Sequence, residues 1–145
     1  MTIEMAWRAE TTDETVSPED DAAIRVCLLD YFDGWFDGDA VRMDRALHPG
    51  LAKHALGQGP TRDEILNVTT KEEMVAATER GQGRQRDLPD RAIRIDITGV
   101  SGDIASATVH SAVYVEYALL ARTSAGWRIT GTLWRWADGH GPRAL

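Results

Sequence analysis

Histidine, tyrosine and tryptophan carry most of the chemistry open to this chain, which has four, three and five of them. His54 alternates with Ala52 and Leu56, which puts it on an otherwise apolar strand face. A histidine there is more often a satisfied core residue than a catalyst, yet it is the best single candidate for moving a proton. His110 shares strand parity with Thr108, Ala112 and Tyr114. Pointing inward with Tyr114, it would serve as a general base or orient a carbonyl. Pointing outward, it belongs to a sheet surface or an interface, and one bulge would exchange the two faces. His48 precedes Pro49 and reads as a cap at a helix C-terminus, where a cation is favoured. His140 lies in a Gly-rich tail and reads as solvated.

Other reactive groups point away from common chemistries. The single cysteine, Cys27, falls on the apolar face of a helix and reads as a buried core thiol. One cysteine excludes an intrachain disulfide and a Cys-based zinc site. Asp30, Asp33, Asp37, Asp39 and Asp44 are dense, but helical spacing spreads them around a solvent side rather than onto one cavity. No metal-ligand spacing, phosphate-binding glycine loop or nucleophile elbow is present, so neither a metal nor a cofactor is expected.

Size and charge narrow the class further. A chain of 145 residues suffices for one core without metal or disulfide support. A net charge of −7, with Lys only at Lys53 and Lys71, argues against nucleic acid. No stretch reads as a membrane span, a membrane-surface helix or a signal peptide, so a cytoplasmic protein is expected.

Residues 1–16 read as a polar lead-in, 17–138 as one domain, and 139–145 as a tail. Ser17-Pro18-Glu19-Asp20 is a helix start, with Ser as N-cap and Pro at the first helical position. Ile24, Cys27, Leu28, Tyr31 and Trp35 then recur at helical spacing, widened by Leu29, Phe32 and Phe36. Tyr31 and Trp35 stand one turn apart and present one aromatic surface, for which core packing is the commoner use. Gly38 ends this helix and Asp39 caps a second, with Val41, Met43, Ala46 and Leu47 inward. Short strands are expected at 51–56 and 64–68. Thr70 and Glu73 form a capping box for a third helix to about residue 79. A polar loop at 81–90 precedes strands at 91–98, 104–115, 117–122 and 127–137. Helices first and sheet last suggests a curved sheet wrapped around a helix, with a cavity at one end.

Three stretches carry a family resemblance over roughly 18–137. They are Tyr31-Phe-Asp-Gly-Trp-Phe-Asp-Gly-Asp39, Arg45-Ala-Leu-His-Pro49, and the ending from Val115-Glu-Tyr-Ala-Leu-Leu-Ala-Arg122 through Gly126-Trp-Arg-Ile129 to Leu133-Trp134. The chain resembles the nuclear-transport-factor-two-like superfamily, and within it the branch labelled "putative lumazine-binding". The resemblance implies an α+β fold, in which N-terminal helices pack in the concave face of a strongly curved, mostly antiparallel sheet. It implies a cavity lined by Tyr31, Trp35, His54, His110, Tyr114 and Trp134, and a homodimer formed through the sheet.

The superfamily hosts isomerases, dehydratases, cyclases and binding proteins, so fold leaves function open. Neither the Asp–Tyr arrangement of ketosteroid isomerases nor the Asp–Arg–Asp network of epoxide hydrolases is visible. Three readings remain. The first is binding of a small apolar or aromatic ligand by Tyr31, Trp35, Tyr114 and Trp134. The second is a proton-transfer enzyme of the isomerase, dehydratase or polyketide-cyclase kind using His54 or His110. The third is a dimeric scaffold without a ligand.

Overall fold

The structure, a computed structural model, describes residues 16–56, 65–85 and 88–141. The expected lead-in (except residue 16), the turn at 57–60 and the end of the tail lie outside the described residues. Among the described residues, three α-helices come first or interleave with the first strands: α1 (Pro18–Asp37), α2 (Ala40–Ala46) and α3 (Lys71–Glu79). Six strands follow one another as β1 (Leu47–Leu56), β2 (Ile65–Thr69), β3 (Arg94–Ser101), β4 (Ile104–His110), β5 (Tyr114–Thr123) and β6 (Gly126–Trp136). They form one sheet in the order β2-β1-β6-β5-β4-β3. All neighbours are antiparallel except β1 and β6, which run parallel.

The helix ends follow the local chemistry. Ser17 accepts the Asp20 amide at 3.1 Å, and Pro18 opens α1 without a missing bond. Gly38 closes α1 at φ 69°, a left-handed conformation that favours glycine. Asp39 then caps α2 by accepting the Arg42 amide at 3.1 Å. Thr70 and Glu73 satisfy each other's amides at the start of α3.

The α1 stripe packs on the inner sheet face. Ile24, Leu28, Met43, Leu47, Val109, Val113 and Ile129 are completely buried there. β4 alternates cleanly, with Ala105, Ala107 and Val109 inward and Ile104 exposed. Register shifts in β1, β3 and between β5 and β6 at Leu119/Leu120 bend the sheet around the helices. The resulting α+β architecture is the expected one.

Several boundaries differ from expectation. β1 starts at Leu47, so His48 and Pro49 lie within the strand and His48 does not cap α2. Its Nδ1 instead accepts the Gly50 amide at 2.9 Å. Val41 is 73 % exposed rather than inward. β3 begins at Arg94, because Asp90 accepts the Ala92 amide at 2.9 Å and Ala92 takes φ 51°, a turn that delays the strand. The β4–β5 turn falls at residues 111–113, not after Val115. The hydroxyl of Ser111 accepts the Val113 and Tyr114 amides and so makes a turn without glycine or proline.

Asp30 is the largest departure among the acids, at 4 % exposure instead of on the solvent side. Arg45 reaches it through Nε and Nη2, both at 2.9 Å, and Arg42 through Nε at 3.0 Å. Burial alone raises a carboxyl pKa, but the hydrogen bonds from Arg45 and Arg42 outweigh it and hold Asp30 below the ordinary carboxylate value. This bridge fastens α1 to α2. Arg91 adds a second clasp, donating to Asp33 at 2.7 Å and to Asp37, with its guanidinium 5.4 Å from the Phe36 ring centre.

Candidate functional site

Between α1, α3 and the inner sheet face lies a cavity of about 370 Å³. Its floor comes from β5 and β6 through Tyr114, Glu116, Trp134 and Trp136, and one side from β1 through Lys53 and Ala55. α1 supplies Tyr31, Phe32 and Trp35, and α3 supplies Met74 and Ala77. Register explains the floor: Glu116 pairs with Trp134, and Tyr114 with Trp136, so all four share one face.

The aromatic wall is a connected cluster. Trp35 donates from Nε1 to the Tyr114 hydroxyl at 3.0 Å. Tyr114 lies 5.4 Å from Trp134 and 5.2 Å from Trp136, and the two tryptophans are 5.1 Å apart at 77°. Edge-on and tilted contacts of this kind fix ring orientation beyond what area burial provides. Gly83, in the 3₁₀ turn Gly83–Gln85, lets the backbone press against this wall. A Cβ at Gly83 would sit 2.2 Å from the Trp35 carbonyl oxygen.

Beside this wall stands a buried polar triad. Lys53 Nζ lies 3.4 Å from Glu116 Oε2 and also donates to the Tyr31 hydroxyl. Tyr31 in turn donates to Glu116 Oε2 at 2.8 Å. The lysine and glutamate side chains are only 12 % and 3 % exposed. The ammonium also lies 5.0 Å from the Tyr31 ring centre and 5.3 Å from that of Trp134, within cation–π range. Burial pushes the Lys53 pKa below its ordinary value, although Glu116 pulls the other way. Burial, with the neighbouring Glu116, drives the Tyr31 phenol well above its ordinary value, so it stays protonated.

Thr132 pairs with Lys53 across β1 and β6 and is buried beside Tyr31. Its hydroxyl slightly favours the Tyr31 phenolate but makes no hydrogen bond of good geometry among the described residues.

Tyr31, Trp35, Tyr114 and Trp134 all line this cavity. His54 and His110 do not. His54 pairs with Leu133 and lies with Tyr117 and Leu119 in a shallow groove on the outer sheet face. His110 pairs with Val115 at the end of β4, on the face opposite Ala107 and Val109. The Ser111 turn resets the alternation, so Tyr114 points inward while His110 does not. Cys27 is buried in the core and donates to the Ala46 carbonyl at 3.4 Å, with burial first among the causes that push its pKa up to about 12. It is no nucleophile at neutral pH.

Sequence reasoning missed Lys53, Glu116 and Trp136. The signal was present: Lys53 shares parity with Leu51 and Ala55, and Glu116 with Tyr114, Ala118 and Leu120. A misplaced turn beside Glu116 concealed the second alternation. Among the described residues no group of three His, Cys, Asp or Glu could hold a metal, and no helix is long and apolar enough to cross a membrane.

Comparisons with known proteins agree on the fold. An NTF2-like protein of unknown function from Silicibacter pomeroyi is 18% identical, with a TM-score of 0.64, over 85% of this chain and 100% of that one. An NTF2-like protein with a cystatin-like fold from Novosphingobium aromaticivorans is 20% identical, with a TM-score of 0.60, over 94% and 90%. A ketosteroid isomerase-like protein from Erwinia carotovora atroseptica is 16% identical, with a TM-score of 0.60, over 84% and 99%. At these identities the likeness concerns fold alone. No curated protein sequence matches the chain. The family model described as "Putative lumazine-binding" matches residues 19–135, which takes in nearly all of the described helices and sheet. The chain therefore belongs to that family, and its fold is like that of the NTF2-like α+β proteins.

Proposed function

We propose that the protein binds a small planar aromatic molecule in the cavity between α1 and the inner sheet face. The observation that carries this reading is the lining, in which Trp35, Tyr114, Trp134 and Trp136 stand around the charge-neutral Lys53–Glu116–Tyr31 triad. Rings supply dispersion and stacking, while the triad offers donors to a polar edge of the ligand. The family's description as lumazine-binding supports a small-molecule ligand. A thermal-shift and tryptophan-fluorescence screen of planar aromatics, lumazine included, tests the reading. Ligand at a hundredfold excess over Kd stabilises by about 2.7 kcal/mol. For a chain of this size that is a rise in Tm of roughly 5–11 °C. If no compound moves either signal, the reading fails.

One observation favours a second reading, a proton-transfer enzyme of the isomerase, dehydratase or cyclase kind. Glu116 is a buried carboxylate inside the cavity, hydrogen-bonded to a phenol. In this reading Glu116 and Tyr31 take the part first given to His54 and His110. Deuterium exchange at the α-carbon of a bound aromatic ketone, lost in Glu116→Gln, would support it, and no exchange in the wild type would retire it.

The outer sheet face is the surface we assign to a homodimer. Ile104, Tyr117, Leu119 and Leu133 are 47–63 % exposed there, a large apolar area for a free surface. Sedimentation equilibrium that returns a monomer at high concentration would remove this assignment.

A further inference from the structure

The Lys53–Tyr31–Glu116 triad does more than balance charge, because its hydrogen bonds run in one direction. Lys53 donates to the Tyr31 hydroxyl, and Tyr31 donates to Glu116 Oε2 at 2.8 Å. A proton leaving Lys53 has a two-bond path to the carboxylate through the phenol. Its arrival leaves a neutral amine beside a neutral acid. In a poorly solvated site this uncharged arrangement competes with the ion pair more effectively than it would in water. Tyr31 suits a relay, since its phenol is held protonated and passes one proton on as it receives another. The amine faces the cavity at the edge of the aromatic wall, 5.3 Å from the Trp134 ring centre.

We infer that Lys53 is a nucleophile that captures the carbonyl carbon of an aromatic aldehyde or ketone as an imine. This rests on the proposed binding of planar aromatics in the same cavity. The neutral amine attacks the carbonyl carbon, forming a C–N bond while the C=O π electrons move to oxygen. That oxygen takes one proton from the attacking nitrogen, giving a carbinolamine. Glu116, now an acid, returns its proton to the hydroxyl, and the C–O bond breaks to release water. The product is a protonated imine with the Glu116 carboxylate as counter-ion. Two of the three ammonium protons leave in the water and one stays on nitrogen, so atoms and charge balance without an oxidant or reductant. Among the described residues, the titratable groups lining the cavity with Lys53 are in the triad or the wall: Tyr31 on α1, and Tyr114 and Glu116 on β5.

The chain is well suited to a clean test, because its lysines are Lys53 and Lys71 alone. Lys71 serves as an internal control, since it donates to the Leu47 carbonyl at 3.1 Å and pairs with Asp44, away from the cavity lining. The protein is incubated at pH 7 with benzaldehyde and cyanoborohydride, which reduces any imine to a stable secondary amine. Intact-mass measurement counts the benzyl groups and peptide mapping places them. One benzyl group on Lys53, formed faster than any on Lys71, is the expected result, since burial lowers the Lys53 pKa and so raises its neutral, nucleophilic fraction. Lys53→Arg keeps the charge and should lose the adduct. If that variant is unfolded by circular dichroism, the wild-type peptide map still decides the matter. Labelling only at Lys71 or the N-terminal amine, equal rates at both lysines, or no adduct would each overturn the inference. Benzyl alcohol separates this failure from that of the binding reading. If benzaldehyde and benzyl alcohol both raise Tm without any adduct, cavity binding stands and covalent capture falls. If neither raises Tm and no adduct forms, both fall.

Discussion

Removing both members of the Lys53–Glu116 pair should cost far less than the sum of removing each alone. The side chains are 12 % and 3 % exposed, so each single change leaves a poorly hydrated charge without its partner. Breaking a buried pair in this way costs about 3–5 kcal/mol. The cavity admits some water to Lys53, which places Lys53→Met and Glu116→Gln near the lower end, at about 3 kcal/mol each. For a chain of this length that is a fall in Tm of roughly 6–12 °C. The double variant carries no net buried charge. It retains a Gln that still accepts from Tyr31, so its loss should fall short of the sum of the singles by at least about 2 kcal/mol. Urea unfolding followed by tryptophan fluorescence measures all four proteins of the cycle. Additivity within about 0.5 kcal/mol would refute the reasoning, since residues that do not interact behave in that way.

Four further outcomes are expected. Asp30 has a folded pKa below its unfolded value, so its contribution is present above the unfolded pKa and is lost as pH falls through the folded one. Asp30→Asn should therefore lose about 2 kcal/mol at neutral pH, and its deficit against the wild type should close as acid titration passes through the lowered folded pKa of Asp30. A persistent gap in acid would contradict the linkage. Gly83→Ala forces a methyl against the Trp35 carbonyl and should destabilise by about 2 kcal/mol or more, with a changed tryptophan emission. Thr132→Val replaces a hydroxyl lacking a well-formed bond among the described residues, so stability should hold or rise by up to about 1 kcal/mol. A loss larger than that in urea melts would show that the hydroxyl is bonded to Tyr31. Thr70→Ala removes half of the capping box and should cost about 1 kcal/mol, read as a matching drop in Tm.

Most of the architecture was legible because it rests on local signals. Ser17-Pro18, Gly38-Asp39 and Thr70–Glu73 fix helix ends through local chemistry, and the α1 stripe and the β3 alternation announce their inward faces. The turn at Ser111 was not legible, since its bonds come from one hydroxyl rather than from a residue with unusual backbone freedom. That error put Tyr114 and His110 on one face and hid Glu116. Tyr31, Trp35, Tyr114 and Trp134 could be named from periodicity and family resemblance and Trp136 could not, while the triad joins residues 31, 53 and 116, and only tertiary register brings them together. Asp30 was misjudged for the same reason, because its burial depends on two arginines from the following helix.

The parallel pairing of β1 with β6 has a consequence for how this protein is assembled. β6 sits between β1 and β5, so the strand nearest the C-terminal end of the sheet is the one that attaches the β1–β2 arm to the rest. During synthesis, residues 47–69 have no sheet to join until residues 126–136 have emerged. Lys53 cannot enter its ion pair before then. Closing so long a loop late raises contact order and slows folding. Pulsed hydrogen exchange during refolding should accordingly find the amides of β1 and β6 becoming protected in one shared, slow phase, after the β3–β4–β5 meander has formed.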